Sequence, residues 1–390
     1  MRTIGTVARG IRAPLIKSGD NIAKIVVDSV LSAITHENIE LHDRDVVGIT
    51  ESIVARAQGN YASCDQIAAD IRSKFPSGTL AATFPILSRN RFSNILKGIA
   101  KGCDKLYVML SYPSDEVGNE LISWDMIDKS GINQYSDVLT EEMYRKYFGY
   151  ETNHVFTKID YVEYYKSFGN NIEILFANDV RSILSYTKNV LCCDIHTRFR
   201  SKRLLKEANA EIIYGLDDVL SASVNGSGYN EEYGLLGSNK ATEDTIKLFP
   251  RNCEPIVNEI AIELKRASGK QIEVLIYGDG AFKDPVGKIW ELADPIVSPA
   301  YTPGLNGTPN ELKLKLMLDE ELNGKSEKEK EEAVAEAIKH KKDNLEDKAL
   351  GTTPRRYSDL LGSLCDLVSG SGDKGTPIIL IQGYFDNYVS

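Results

Sequence analysis

The sequence predicts a mixed α/β (α+β) fold with two lobes, and three observations carry that prediction. The chain has 390 residues, enough to bury a sizeable core and to form two or three domains. Short apolar runs typical of strands alternate with stretches of helical spacing, the pattern of α/β and α+β proteins. Hydrophobic residues make up 42% of the chain, yet none of its apolar runs approaches the roughly 18 residues that a membrane helix needs.

The elements follow one another from the N-terminus. Residues 19–31 place apolar side chains at helical spacing, which predicts an amphipathic helix with Asp20 as its N-cap. A further helix is predicted at 358–368, and a charged surface helix within 324–347. Apolar runs bounded by polar residues predict strands at 46–50, 107–110, 172–180, 272–278 and 377–382.

Charge and cysteine content exclude several classes of protein. The net charge of −10 opposes a nucleic-acid partner, because a polyanion would be repelled by the average field. Six cysteines without a C-x-x-C pair predict buried, reduced thiols rather than a zinc site. The N-terminus has basic residues but no apolar segment of a secretory signal, so we expect a cytoplasmic protein without a membrane partner.

Asp279 is the first candidate site residue. It follows an apolar run and lies between Gly278 and Gly280, at the kind of strand end where α/β folds assemble ligand sites. A carboxylate there can bind a hard divalent cation, with Asp284 as a second ligand. An Asp-Gly pair is also a common signal for a tight turn, so both interpretations stay open.

Residues 370–376 form a glycine-rich join between a predicted helix and a predicted strand. Successive backbone N–H groups in such a bend can bind an anion, and Lys374 would add positive charge. The order helix, loop, strand excludes a P-loop, which runs strand, loop, helix. The alternative is a simple helix C-cap followed by a flexible turn.

Other segments carry weaker signals. Residues 219–239 are rich in small and amide side chains, which suits either close approach to a ligand or an ordinary loop. The tyrosines of residues 125–206, a candidate separate lobe, are expected to pack rather than to form a stacking platform. The five histidines are isolated, and His196, beside Asp194 and Arg198, is expected to have a supporting rather than a catalytic role.

Four stretches in order resemble the coenzyme F420-0:L-glutamate ligase family. They are IRAPLIKSGDNIAKIV, DVVGITESIVARAQGN, GLLGSNKATEDTI with KRASGKQIEVLIYGDGAF, and TTPRRYSDLLGSLCDLVSGSGDKGTPIILIQG. The resemblance implies a core formed by residues 1–100 and 205–390, a lobe inserted at 101–204, and a smaller charged helical insertion at 300–350.

The resemblance also implies an activity. A ligase of this kind uses GTP (or ATP) and Mg²⁺ or Mn²⁺ to join L-glutamate to a small carboxylate acceptor through an acyl phosphate. The family suggests a homodimer. Positioning and electrostatics do most of the work in phosphoryl transfer, so the missing Ser/His/Asp triad is no objection.

The site residues expected from the sequence and from the resemblance fall in five places. Asp279 and Arg56 are the expected catalytic residues, and Asp279, Asn225 and Asp284 the expected metal ligands. The expected nucleotide contacts are Pro14, Leu15, Ile16, Lys17, Thr50, Glu51, Arg56, Gly370, Ser371, Gly372, Asp373, Lys374, Gly375 and Thr376.

This sequence departs from the family pattern at four positions. Arg56 stands where the family usually has Lys, Asn225 where it has a second metal-binding Asp, Gly228 where it has an Asn, and Gly280 where it has a Thr. A regulatory protein that binds nucleotide and metal without turnover is therefore the alternative function. A dinucleotide-dependent oxidoreductase is disfavoured because no G-x-G-x-x-G joins a strand to a helix.

Overall fold

The structure is a computed structural model that describes residues 3–154, 157–279, 296–342, 345, 355–369 and 372–389. Two compact units are present. Unit 1 comprises residues 1–57 and 252–390, and unit 2 comprises residues 58–251.

The strands of the described residues are, in chain order, β1 (Val7–Ile11), β2 (Val46–Thr50), β3 (Tyr61–Ser63), β4 (Thr79–Thr83), β5 (Lys105–Leu110), β6 (Leu139–Thr140), β7 (Ile172–Phe176), β8 (Asn189–Cys192), β9 (Ile212–Gly215), β10 (Asn239–Lys240), β11 (Thr245–Lys247), β12 (Glu273–Asp279), β13 (Ile296–Tyr301) and β14 (Ile378–Gln382).

The α-helices of the same residues are α1 (Ile22–His36), α2 (Glu51–Ala57), α3 (Cys64–Lys74), α4 (Phe92–Lys101), α5 (Trp124–Ser130), α6 (Glu141–Phe148), α7 (Tyr161–Lys166), α8 (Arg198–Glu207), α9 (Cys253–Ser268), α10 (Leu314–Leu316), α11 (Glu327–Lys339) and α12 (Tyr357–Val368). Short 3₁₀ segments occur at Val180–Ser185, Leu216–Asp218 and Pro303–Leu305, and a π-helical turn at Met317–Glu321.

Unit 1 is built on a five-stranded sheet in the order β1-β14-β2-β12-β13. Only the β2–β12 pair of this sheet is parallel. Successive residues of a strand face opposite sides, so Val47 and Ile49 join the core beneath α1 and α9, while Val46 joins the core beneath α12. At Gly48 a Cβ atom would lie 2.2 Å from Cys365 Sγ, so this glycine lets α12 approach β2.

Unit 2 contains a six-stranded sheet in the order β6-β7-β5-β4-β8-β9 and a small sheet of β10, β11 and β3. All neighbours in the large sheet are parallel except β6 and β7. The chain runs outward from β4 first through β5 to β7 and then through β8 to β9, which is the strand order of doubly wound folds.

The division of the chain differs from the predicted one. The predicted lobe of residues 101–204 begins at the last residue of α4, but β4 pairs with both β5 and β8. Residues 58–100 therefore belong to the same compact unit as the predicted lobe, and so do residues 205–251. Local sequence patterns do not reveal this division, because parallel pairing joins strands that are far apart in the chain.

Most predicted elements are present, with shifted ends. The first helix begins at Ile22, and its N-cap is Asn21, whose side chain accepts from Lys24 N at 2.9 Å. The prediction of Asp20 as the cap was wrong, because that carboxylate accepts from Lys17 N at 2.7 Å instead. The charged surface helix is α11, where Val334 is the one buried residue.

The prediction of buried thiols is confirmed, and the prediction of packed tyrosines is confirmed only in part, since Tyr135 and Tyr150 are largely exposed. All six cysteines are free and buried. In unit 2, Tyr144 and Tyr165 are fully buried, and Tyr144 stacks on Phe176 with ring centroids 4.1 Å apart. These rings stabilise the core of unit 2 and are not available as a stacking surface for a ligand.

Candidate functional site

The end of β2 gathers several predicted site residues of unit 1. Thr50 pairs with Tyr277 of β12 on one side, and on the other side Thr50 N donates to Pro377 O at 3.1 Å. Neighbouring strands lie about 4.8 Å apart, so the end of β12 and the beginning of β14 are about 10 Å apart across β2.

Glu51 follows directly as the first residue of α2. Its side chain is buried, with 5% of its surface exposed, and it covers the backbone of Gly278, where a Cβ atom would stand 2.1 Å from Glu51 Cγ. Asp279 is the next residue along β12. The sequence therefore places one acid at the end of β12, and the fold brings a second acid to the same strand end.

Burial and the Glu51 charge act together on a neighbouring thiol. They raise the pKa of Cys253, the first residue of α9, to about 12. A pKa raised in this way opposes formation of the Cys253 thiolate at physiological pH.

Residues 14–17 form an exposed loop that is attached to unit 1 by the buried side chain of Ile16 and by hydrogen bonds. Ile16 is buried in the core, its carbonyl accepts from Arg56 Nε at 2.6 Å, and Gly19 N donates to Ala57 O at 2.8 Å. Leu15 beside it is 91% exposed. Within the described residues, the Arg56 side chain makes no other hydrogen bond, so the rest of its guanidinium is available to an anion.

The described part of the glycine-rich bend, residues 372–376, contacts the strand that leads into this loop. Ala13 N donates to Gly375 O at 3.3 Å, and at Gly10 a Cβ atom would lie 2.9 Å from Thr376 Cβ. Gly372 and Gly375 have φ of +88° and +63°, values that side chains other than glycine rarely adopt. The bend and the 14–17 loop thus lie side by side in unit 1.

An open groove of about 1000 Å³ runs beside these segments. Pro14, Lys374 and Thr376, all predicted nucleotide contacts, contribute to its wall. Two arginines that the sequence analysis passed over, Arg9 and Arg12, line the same groove. The signal was present in the basic run ARGIR just before the loop, but only the fold shows that it faces the same space as Lys374.

The remaining predicted residues lie outside the described residues or belong to unit 2. Asp284, Gly280, Gly370 and Ser371 lie outside the described residues. Asn225 belongs to unit 2, where its side chain is exposed and its carbonyl accepts from Gln66 Nε2 at 3.0 Å.

Close packing in unit 2 explains why residue 228 is a glycine. A Cβ atom there would lie 2.5 Å from Asn60 Oδ1 and 2.7 Å from Tyr61 N. Asn60 is fully buried and holds the segment by donating to Tyr229 O and accepting from Tyr229 N. The asparagine that the family has at this place would not fit against this contact.

Unit 2 also contains two neighbouring acids, the buried Asp194 and the half-buried Glu116. Glu116 accepts from Ile195 N at 2.6 Å and from the N–H groups of His196 and Thr197. Burial first, and then the nearby Asp194 charge, raise the pKa of Glu116 to about 7. His196 therefore contributes a backbone donor to this cluster.

The chemistry of the side chains at the end of β2 indicates which kind of metal ion they fit. Within the described parts of the chain, no group of three or more His, Cys, Asp or Glu side chains could hold a metal ion. The side chains of Thr50 and Glu51 nevertheless supply only oxygen donors, which would suit Mg²⁺ or Mn²⁺ rather than zinc. Donors of this kind fit a hard divalent cation.

The F420-0:gamma-glutamyl ligase family model matches residues 10–383, which is nearly the whole chain. The chain belongs to this family. The comparison with individual curated proteins finds no match. Membership in the F420-0:gamma-glutamyl ligase family confirms the predicted resemblance and the mixed α/β fold class, and it implies a ligase of the F420 biosynthesis type. No helix of the described residues is both long and apolar enough to cross a membrane.

Proposed function

We propose that this protein is an amide ligase that uses GTP or ATP and a divalent cation to join L-glutamate to a small carboxylate acceptor. The observation that carries the proposal is the meeting of four predicted segments in unit 1. Thr50 and Glu51 lie between the ends of β12 and β14, the 372–376 bend contacts residues 10–13, and Arg56 binds the 14–17 loop.

The chemistry of the reaction matches these groups. A carboxylate becomes an electrophile only after it is phosphorylated, and the amine of glutamate then displaces phosphate from the acyl phosphate. The divalent cation supplies charge neutralisation for the phosphates. Arg56 and Lys374 supply further positive charge, and Arg56 can bind a phosphate with two parallel hydrogen bonds.

The N–H groups of residues 372–376 add donors without a charge. A glycine-rich bend can direct successive backbone N–H groups at one anion. In this proposal the bend holds the phosphate chain, and the oxygen donors at the end of β2 hold the cation bound to it. The cytoplasm and a homodimer remain the expected location and assembly.

The test is a coupled assay of the full chain with GTP or ATP, Mn²⁺, L-glutamate and a panel of carboxylate acceptors. We expect phosphate release that depends on both glutamate and an acceptor, with a new amide identified by mass spectrometry. Nucleotide binding without phosphate release for every acceptor would contradict the ligase.

A second function is favoured by the Gly228 contact. The asparagine typical of the family does not fit against Asn60, and Asn225 supplies an amide where the family has a carboxylate. A regulatory protein that binds nucleotide and metal without turnover would tolerate both changes. The same assay separates the two functions, because the regulator binds nucleotide and releases no phosphate.

The doubly wound sheet of unit 2 does not support the hypothesis of a dinucleotide-dependent oxidoreductase. The turn from β4 to α4 contains no glycine, and the cavity lined by Ile86, Cys193 and Ile195 at the carboxyl ends of β4 and β8 measures about 30 Å³, room for about one water molecule. Fold alone does not assign a ligand.

A further inference from the structure

We propose that Arg12 binds the phosphate chain of the nucleotide together with Lys374. The inference rests on the proposed function, and it assigns a binding role to a residue outside the segments expected to contact the nucleotide. Three features of unit 1 support it: the position of Arg12 just after β1, the surroundings of its guanidinium group, and the groove that it shares with Lys374.

Arg12 lies at the same edge of the sheet as Thr50. Ile11, Ile378 and Ile49 form one row across β1, β14 and β2. Because β1 and β2 are both antiparallel to β14, the residues that follow this row, Arg12 and Thr50, lie at one edge. Neighbouring strands are about 4.8 Å apart, so the two backbones are about 10 Å apart across the beginning of β14. The glycine-rich bend leads into β14 at this edge.

The guanidinium group of Arg12 is available to a ligand. The side chain is exposed and, among the residues that the structure describes, makes no hydrogen bond, ion pair or ring contact. Other arginines of unit 1 are engaged: Arg9 donates to Gln382 Oε1 at 2.7 Å, and Arg44 lies 3.8 Å from the ring centroid of Phe385. All five N–H donors of the Arg12 guanidinium can therefore serve an oxyanion.

One backbone hydrogen bond brings Arg12 and Lys374 close together. Ala13 follows Arg12, Gly375 follows Lys374, and Ala13 N donates to Gly375 O at 3.3 Å. Arg56 binds a carbonyl of the loop that comes next in the chain. Three cations are thus attached to neighbouring stretches of backbone, where the charges of a triphosphate would be compensated.

The groove is positive where Arg12 and Lys374 line it. Lys374 is also exposed and has no acid partner within the described residues. Asp28 lines the same groove, but its carboxylate is ion-paired with Lys24 at 2.6 Å. A cleft lined by charges of one sign attracts ions of the opposite sign, so this part of the groove favours an anion.

Glu37, the other acid of the groove, belongs to its opposite end. Three residues after Glu37, the carbonyl of Glu40 accepts from Gln382 Nε2 at 2.9 Å. Gln382 pairs with Val7 at the beginning of β1, whereas Arg12 follows the end of that strand. The Glu37 carboxylate therefore does not neutralise the end of the groove at which a phosphate is proposed to bind.

Two other roles for Arg12 make different predictions. A guanidinium binds carboxylates as well as phosphates, so Arg12 can instead bind the acceptor or L-glutamate. Alternatively, Arg12 only stabilises the end of α12, since Val368, the last residue of that helix, lines the same groove and helix C-termini attract cations. The first role leaves nucleotide affinity unchanged, and the second affects stability alone.

The experiment measures the dissociation constants of GTP, ATP and inorganic tripolyphosphate for the full chain by calorimetry in the presence of Mg²⁺. The variants are Arg12→Ala, Arg12→Lys and, in parallel, Arg56→Ala. The matched control is Arg266→Ala, which removes the same charge from a side chain of α9 that is 73% exposed. Circular dichroism and thermal melting establish that each variant is folded.

We expect Arg12→Ala to weaken binding of the nucleoside triphosphate and of tripolyphosphate by the same factor, roughly ten-fold or more, because the lost hydrogen bonds are made to phosphate and not to the base. Arg12→Lys should recover part of the affinity, and Arg266→Ala should bind as the unchanged chain does. A role in stability alone would shift the melting temperature and leave both affinities unchanged.

The inference and the proposed function fail in different ways. If Arg56→Ala loses affinity while Arg12→Ala binds GTP, ATP and tripolyphosphate as Arg266→Ala does, the inference is refuted and the ligase stands. If the unchanged chain binds neither GTP nor ATP, the proposed function is refuted, and the inference with it.

A second measurement uses the unchanged chain and covers the case in which Arg12→Ala does not fold. Phenylglyoxal modifies accessible guanidinium groups, and peptide mass spectrometry follows the modification of each arginine. We expect GTP and tripolyphosphate to slow the modification of Arg12 and Arg56 but not that of Arg266. Protection of Arg56 without protection of Arg12, or protection of Arg12 by L-glutamate and not by nucleotide, would overturn the inference.

Discussion

Gly278 and Glu51 are in direct contact, with the backbone of the glycine against the side chain of the acid. Gly278 is buried in β12, and its φ lies outside the left-handed region, so the reason for glycine here is space rather than backbone conformation. The contact fixes the beginning of α2 relative to the end of β12, the two places from which oxygen donors of the proposed site come.

Gly278→Ala should therefore destabilise unit 1. The added Cβ would lie 2.1 Å from Glu51 Cγ, and overpacking of a buried site costs about 1–3 kcal/mol. Chemical denaturation followed by circular dichroism measures the loss. Gly5→Ala is the control, because nothing lies within 4 Å of a Cβ at that position; equal stability of the two variants would show that Glu51 moves aside freely.

Arg56→Ala should weaken nucleotide binding. The guanidinium binds Ile16 O through Nε and is otherwise open to a phosphate, and a hydrogen bond to a charged group contributes about 1.5–3 kcal/mol. The dissociation constant for GTP, measured by calorimetry, should rise roughly ten-fold or more. Arg56→Lys should recover only part of the affinity, since an ammonium group does not form the paired hydrogen bonds of a guanidinium. Unchanged affinity in Arg56→Ala would remove this residue from the site.

Gly228→Asn, which introduces the residue that the family has at this position, should destabilise unit 2. A Cβ atom would lie 2.5 Å from Asn60 Oδ1, so we expect unit 2 to lose about 2–3 kcal/mol of unfolding free energy, followed through the fluorescence of Trp124. Gly226→Asn is the matched control, because Gly226 has φ +75° with open space around it, and asparagine tolerates that conformation better than most residues. A Gly228→Asn variant as stable as the control would contradict the packing argument.

Glu116 should make unit 2 less stable as pH rises. Its pKa is raised in the folded state from 4.5 to about 7, so its stabilising contribution is full below pH 4.5 and is lost as pH rises through about 7. Asp194, whose pKa burial also raises, acts with the same sign. A shift of this size corresponds to no more than about 3 kcal/mol.

Hydrogen exchange of residues 195–207 between pH 5 and pH 8 measures this effect. After correction for the intrinsic pH dependence of exchange, protection should fall with pH in the unchanged chain and should fall less in Glu116→Gln. The control is Glu142→Gln, an exposed glutamate of α6, which should follow the unchanged chain. Identical profiles for all three proteins would show that Glu116 does not titrate in this range.

The sequence by itself determined the local elements and the candidate segments. The strand at 46–50 has the predicted bounds, because an apolar run flanked by charged residues has few other ways to bury its side chains. The family resemblance likewise rests on stretches that are each continuous in the sequence.

Tertiary structure alone decided which of those segments meet. The contact of Glu51 with Gly278 joins positions 227 residues apart, and it depends on the parallel pairing of β2 with β12. The same holds for β4, which pairs with β5 and β8 and so draws residues 58–100 into unit 2. Strand pairing is set by packing over the whole sheet, and one strand's own residues do not encode its partner.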